Sequence, residues 1–291
     1  MPFVQTHTHL KEISFIQWGC LLTSFGVILL YKSVYTAPFG TLLSVITQKQ
    51  VSFRDAFTLF HLANITRYLP GRIWGVVRML SLSHQFGFSR TAIGSSLTLH
   101  VGIETALGGL IALSLLFSEQ GFRDPAENVF ETFSGQTLLL TFAVIGLLGT
   151  GILFCIPKVA NHTRQFLKTL VPLLENSRLV VRVLTGHALL WICQGLAFFF
   201  VRSFAHIPWR DADVLTACFA FAWIVGFLSF LIPGGLGIRE GLLGLLLANL
   251  MPALQARLVA LLCRVWMLAA EMVLAGAAFL LHRNTPCQKR P

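Results

Sequence analysis

Four ionisable side chains lie within long apolar runs of the sequence, where a charge is costly unless it has a partner. His100 and Glu104 interrupt the run Thr91–Phe117, and Arg264 and Glu271 interrupt the last run of the chain. Residues four or seven positions apart lie on one face of a helix, so each pair is expected to share a face. The two carboxylates are expected to pair with arginines from the set Arg72, Arg78, Arg239 and Arg264.

Two interpretations of these four side chains stay open. They form either a polar pathway through the protein or structural ion pairs that hold its helices in place. A histidine one turn before a carboxylate, as His100 is before Glu104, has the placement of a general base or a proton relay. A core histidine with its hydrogen bonds satisfied is the commoner arrangement.

Two Pro-Gly breaks interrupt apolar segments, one in each half of the chain. Pro70-Gly71 separates the apolar stretches Ala56–Thr66 and Ile73–Leu82, and Pro233-Gly234 separates two others. Proline stops a helix and glycine permits a positive φ, so each segment is expected to form two half-helices. Such backbone is tolerated at membrane depth only when it is buried in protein or faces a wet cavity.

The start of a half-helix has free N–H groups and the positive end of a helix dipole, which together favour an anion. Paired broken segments in the two halves of a membrane protein point to a transport site between inverted repeats. The alternative is that each Pro-Gly marks an interfacial loop between two short helices. The residues expected to form the anion site are Arg67, Gly71, Arg72, Arg78, Gly234, Gly235, Arg239 and Glu240.

The composition predicts that the elements holding these residues are membrane-spanning helices. Hydrophobic residues make up 55% of the 291 residues and charged residues 12%, against about 25% charged in soluble domains. This excludes a soluble enzyme and favours an all-α, polytopic helical bundle of about six to eight spans. Within Thr91–Phe117, three glycines are expected to let helices approach closely: Gly102, Gly108 and Gly109.

The charge-free runs divide the chain into one transmembrane domain over residues 1–291, with pseudo-repeats at about 13–118 and 183–282 joined by 119–182. The first span is predicted at Ile13–Tyr31, followed by a mixed loop at Lys32–Arg54, and another span at Gln136–Pro157. The basic loop Lys158–Arg182 and the basic C-terminal tail are expected in the cytoplasm. The net charge of +10 is assigned to this asymmetry and to anionic lipid headgroups, with no nucleic acid partner.

The two breaks carry the strings RYLPGRIW at residues 67–74 and PGGLGIREG at residues 233–241. These strings resemble the two signatures of the lysylphosphatidylglycerol synthase transmembrane region, also called the flippase-like integral membrane family. The resemblance extends from the first span to the last. It implies a polytopic fold with re-entrant helices, a bacterial inner membrane and movement of a lipid across the bilayer. Synthase members carry an aminoacyltransferase domain after this region; the present sequence ends without one, so lysyl transfer is not expected.

The first functional hypothesis is a lipid flippase-like transporter, not an enzyme, whose anionic headgroup site lies between the two breaks. Its lipid would be a phospholipid, an aminoacyl-phosphatidylglycerol or a polyprenyl-phosphate lipid. The alternatives are a membrane-embedded transferase for a lipid-linked envelope precursor, with Glu104 and His100 as its acid/base pair, and a scaffold for an envelope-biosynthesis enzyme. No catalytic or metal-binding motif is recognisable, no cofactor is expected, and the oligomeric state stays open.

Overall fold

The regular structure in the described part of the chain is entirely helical, as the apolar runs predict. The computed structural model describes residues 15–69, 73–113, 171, 175–201, 211–228 and 237–283. Short 3₁₀ turns follow two of the helices, at Ile65–Tyr68 and Ser83–Phe86. The α-helices are α1 (Phe15–Val34), α2 (Thr36–Thr47), α3 (Phe53–Asn64), α4 (Trp74–Leu82), α5 (Arg90–Leu113), α6 (Ser177–Val201), α7 (Ala212–Leu228), α8 (Ile238–Leu247) and α9 (Ala253–Arg283).

Several of these helices are long and apolar enough to cross a bilayer, which confirms a polytopic helical membrane protein. A shorter apolar helical stretch, Ala212–Phe227, lies within α7. The run Gln136–Pro157, with most of the chain between α5 and α6, lies outside the described residues. The four candidate spans are Gly19–Thr47, Arg90–Leu113, Ser177–Phe198 and Ala253–Arg283.

Two boundaries differ from those predicted. The mixed loop predicted at Lys32–Arg54 is largely helical, because Lys32 is buried and paired and the chain continues into α2. Pro38 lies in the first turn of α2, where a proline is tolerated. The second difference is at the start of α6. This helix begins at Ser177, so Arg182 lies in its first turns, whereas the basic loop was predicted to extend over Lys158–Arg182.

The first Pro-Gly segment folds into a helical hairpin. A serine starts the hairpin at α3, where Ser52 Oγ accepts the Asp55 N–H at 3.0 Å. Both α4 and the 3₁₀ turn after it pack against α3, so the chain doubles back at the break. The hydroxyl of Thr66 donates to the carbonyls of Ala63 and Trp74, at 2.7 and 3.0 Å, and thereby ties the two arms together.

The second break is bounded by α7 and α8, which also pack against each other. One helix, α9, contacts α3 of the hairpin, α8 after the second break and also α1. The described helices enclose two apolar cores: one includes Phe39, Leu59 and Ile93, and the other includes Leu215, Leu247 and part of α9. The last span therefore holds the two broken segments in one helical framework. The division into pseudo-repeats stays a prediction.

The adjacent glycines 108 and 109 give a matched test of helix packing. A Cβ on Gly108 would lie 2.3 Å from a ring carbon of Trp191, whereas a Cβ on Gly109 meets no described atom within 4 Å. We expect Gly108→Ala to lower the free energy of unfolding by about 1–3 kcal/mol through overpacking. Gly109→Ala should be neutral or slightly stabilising, because alanine is the better helix former.

The measurement is the loss of monodisperse protein on heating in detergent micelles. Equal melting of both variants would contradict the close α5–α6 approach at Gly108. Gly102, which was expected to act in the same way, likewise has open space at its Cβ position among the described residues.

Candidate functional site

Glu271, in the middle of α9, is the centre of a buried ionic network. Its side chain is 2% exposed, and its Oε1 accepts hydrogen bonds from Lys32 Nζ at 2.7 Å and Arg67 Nη2 at 2.6 Å. The Tyr68 hydroxyl donates to the other carboxylate oxygen. Lys32 comes from the end of α1, while Arg67 and Tyr68 come from the 3₁₀ turn at the first break. One carboxylate thus joins α1, α9 and the first hairpin.

Arg264, two turns earlier on α9, contacts residues that precede the first break and follow the second. Its Nε lies 3.3 Å from Glu240 Oε1, and its guanidinium carbon lies 5.7 Å from the ring centre of Tyr68. Glu240 also accepts the N–H of Gly237 at 2.7 Å across the first turn of α8. Gly237 has φ +86°, a left-handed conformation that favours glycine. Residues next to the two breaks, Tyr68 and Glu240, therefore lie on either side of Arg264, while the shared site of the two breaks stays a prediction.

Arg239, on the first turn of α8, is held by apolar groups. Its guanidinium carbon lies 4.6 Å from the ring centre of Phe219, and its Nη2 lies 3.1 Å from Met267 Sδ. Within the described ranges, no carboxylate lies within 4 Å of this guanidinium. The side chain runs close to α7, since a Cβ on Gly226 would lie 2.9 Å from Arg239 Cβ. A half-buried cation held by a ring and a thioether is well placed to take an external anion.

These residues form what we call the charged cluster, defined as Lys32, Arg67, Arg239, Arg264, Glu240 and Glu271. Four basic side chains face two carboxylates, and both carboxylates are engaged by cluster cations. The excess positive charge lies where α1, α8, α9 and the first break meet. A site of this kind attracts an anion more strongly than the same charges in water would, because little solvent screens them.

Glu104 forms a separate buried site on α5. The Tyr35 hydroxyl donates to its carboxylate, and Trp191 Nε1 donates to its backbone carbonyl at 3.1 Å. The prediction that an arginine pairs with Glu104 is therefore wrong among the described contacts. The neutral phenol of Tyr35 satisfies this carboxylate instead. Glu271 does pair with an arginine, but with Arg67 and not with one of the four arginines that were expected. The 3₁₀ turn before the first break places Arg67 against α9.

His100 lies on the same buried face as Glu104, as its spacing predicts, but has a different partner. His187 Nε2 lies 2.9 Å from His100 Nδ1, and His187 Nδ1 lies 2.9 Å from the Val183 carbonyl. Both histidines are fully buried. Because this pair packs between α5 and α6, the geometry favours structural histidines over a His100–Glu104 acid/base pair.

The other expected site residues fall into two groups. Arg78 is exposed on α4. The remaining six lie outside the described residues, namely Pro70, Gly71, Arg72, Pro233, Gly234 and Gly235. Within the described ranges, no group of three or more His, Cys, Asp or Glu side chains is placed to hold a metal ion.

Four contributors were missed by sequence reasoning: Lys32, Tyr68, Phe219 and Met267. Tyr68 adjoins Arg67 in the first Pro-Gly string, so its position carried a signal. Lys32 directly follows the charge-free run Ile13–Tyr31, which predicts the end of a span there, although aromatic and apolar residues continue beyond it. Phe219 of α7 and Met267 of α9 have the sequence surroundings of ordinary core residues, and nothing in their spacing distinguishes them.

The Tyr35–Glu104 contact can be tested with a double-mutant cycle. Tyr35→Phe should lower the free energy of unfolding by about 1–3 kcal/mol, because it leaves a buried carboxylate without its donor. Adding Glu104→Gln should cost less in the Tyr35→Phe background than in wild type, since the two groups interact directly. Additive losses of thermal stability in detergent would contradict the contact.

In a comparison with protein families, a family model matches most of the chain. The model of the family described as "Lysylphosphatidylglycerol synthase TM region" matches residues 3–275. This is the family whose signatures the two Pro-Gly strings resemble. No curated protein and no solved structure matches the chain significantly.

Proposed function

Since this chain belongs to the lysylphosphatidylglycerol synthase TM-region family, we propose that it moves a lipid with an anionic headgroup across the membrane. The candidate lipids are a phospholipid, an aminoacyl-phosphatidylglycerol and a polyprenyl-phosphate lipid, which share a phosphate. The proposal places the protein in a bacterial inner membrane with its C-terminus in the cytoplasm. An envelope-biosynthesis enzyme is a compatible partner under this proposal.

The observation that carries the proposal is the guanidinium of Arg239. It is held against Phe219 and Met267 without a carboxylate among its described contacts. Arginine stays charged, and its planar fork matches two phosphate oxygens at once. Because the ring and the sulfur already fix its position, little additional ordering is needed when an anion binds.

The arginines of the charged cluster could together compensate the charge of a headgroup while it crosses the membrane. A phosphate crossing the bilayer meets a large barrier, since an uncompensated charge is costly in hydrocarbon. Arg239 and Arg264 supply positive charge near the second break, while Arg67 supplies it near the first. The acyl or isoprenoid chains would stay in the surrounding lipid. The two hairpins would then frame the path of the headgroup.

The transferase alternative needs an acid/base pair, for which His100 and Glu104 were the candidates. In the structure, His100 contacts His187 while Glu104 contacts Tyr35. No contact among the described residues favours the transferase. The transporter is therefore the better-supported function.

The test is a translocation assay with the purified protein in liposomes. Headgroup-labelled phosphatidylglycerol, lysyl-phosphatidylglycerol and a polyprenyl phosphate are each exposed to a quencher that does not cross the membrane. We expect the inner-leaflet label of at least one lipid to be lost faster than in protein-free vesicles and in vesicles with an unrelated helical membrane protein. Failure with all three lipids, using protein that is monodisperse before and after reconstitution, would overturn the proposal. A covalently altered lipid would support the transferase instead.

A further inference from the structure

A groove of about 830 Å³ lies between the α1–α2 segment and α6, and its described lining includes no residue of the charged cluster. Its lining includes two basic residues: Lys49, which follows α2, and Arg182, which lies in the first turns of α6. Apolar residues line it elsewhere, including Leu30 and Val34 of α1 and Leu189 of α6. We infer that this groove binds one anionic phospholipid, with its phosphate at Lys49 and Arg182 and an acyl chain along the apolar wall.

The charges of the groove match an anionic headgroup. Its described lining residues include two basic side chains and no Asp or Glu. Lys49 lies two positions after the candidate span Gly19–Thr47, and Arg182 lies near the start of the candidate span Ser177–Phe198. The ends of spans lie at the depth of lipid phosphates, where each basic residue attracts anionic lipid. The two cations therefore lie near the ends of candidate spans, where a headgroup is expected.

The helix beside the groove fits the length of an acyl chain. At 1.5 Å per residue, α2 (Thr36–Thr47) is about 18 Å long. One leaflet contributes about half of a hydrocarbon core of roughly 30 Å. Val34 and Leu189 are 43% and 54% exposed, so their side chains are available to a lipid chain. The volume lies within the range of known ligand sites, about 300–1,000 Å³.

Tyr31 connects this groove to the surroundings of Arg239. It lines the groove and also a small internal cavity of about 20 Å³. That cavity is lined by Phe219 and Met267, the two residues that contact Arg239. Gln194 lines it too; its side chain is 4% exposed, and the amide nitrogen has no hydrogen-bond partner among the described residues. If the proposed lipid transport holds, the groove is the place from which a lipid approaches Arg239, with Tyr31 as the shared wall.

Photo-crosslinking tests the groove without altering it. The wild-type protein is placed in phosphatidylcholine nanodiscs containing a trace of phosphatidylglycerol with a diazirine in one acyl chain, and labelled residues are identified by mass spectrometry. We expect labelling at Leu189 to exceed labelling at Ile192. Both belong to α6 and have similar exposures of 54% and 58%, but Ile192 does not line the groove. Unlabelled phosphatidylglycerol should compete, whereas additional phosphatidylcholine should not.

Matched charge variants identify the headgroup end. Arg182→Gln should weaken labelling at Leu189 by about fivefold, the size of one cation–headgroup interaction at a membrane surface. Arg178→Gln removes an exposed arginine one turn earlier on the same helix, outside the groove lining, and should leave it unchanged. Equal labelling at Leu189 and Ile192, or equal competition by phosphatidylcholine, would overturn the groove site. Because labelling needs no transport, its success together with a failed translocation assay would overturn the proposed function and leave the groove standing.

Discussion

Glu271→Gln is expected to destabilise the protein by about 3–5 kcal/mol, because breaking a buried ion pair leaves uncompensated charge. Lys32 and Arg67 would both lose their carboxylate, and Lys32 is itself buried. A neutral amide keeps the size of the side chain but not the charge. The loss is measured as the fraction of monodisperse protein that remains after heating in detergent micelles.

Two further variants separate charge from packing. Adding Lys32→Met to Glu271→Gln should recover part of the loss, since one uncompensated cation is removed. Glu240→Gln should cost less than Glu271→Gln, because Glu240 has one described ion pair, at 3.3 Å, rather than two shorter ones. A Glu271→Gln protein as stable as wild type would show that this carboxylate does not hold α1, α9 and the first hairpin together.

The helical framework follows from local patterns, whereas the pairing inside it does not. Charge-free runs and Pro-Gly breaks were sufficient to predict spans and half-helices such as α3 and α4. Lys32 was misplaced because a lysine normally ends a span, and the carboxylate that keeps it buried lies 239 positions away. A residue at that separation is brought into contact only by the packing of α1 against α9.

The charges of the cluster could be predicted from the sequence, but their partners could not. A charge inside or beside an apolar run is costly unless it has a partner, and this singles out Arg239, Glu240, Arg264 and Glu271. Their partners depend on the rotation of each helix about its axis, which spacing alone does not fix. Glu104 adds a second reason: its partner is a neutral hydroxyl, which a count of charges overlooks.

Arg239→Gln is expected to slow lipid translocation by about 10- to 100-fold. This is the effect of losing one hydrogen bond between charged groups if that bond stabilises the rate-limiting step. Its effect on the free energy of unfolding should be about 1 kcal/mol or less, since the described contacts of Arg239 are a ring and a sulfur rather than a carboxylate. Translocation is measured in liposomes as the loss of inner-leaflet headgroup label, and stability by heating in detergent. A large transport defect with little stability loss distinguishes a ligand-binding cation from a structural one.

Two matched variants complete this test. Arg257→Gln removes an exposed arginine of α9 that lies outside the charged cluster, and it should transport at the wild-type rate. Arg239→Lys keeps the charge but loses the planar fork, so it should recover only part of the activity if a phosphate is bound through two oxygens. Wild-type transport by Arg239→Gln would place the headgroup elsewhere. A loss of stability as large as that of Glu271→Gln would make Arg239 part of the structural network. The remaining candidate for the headgroup would then be Arg264, which lies between Tyr68 and Glu240.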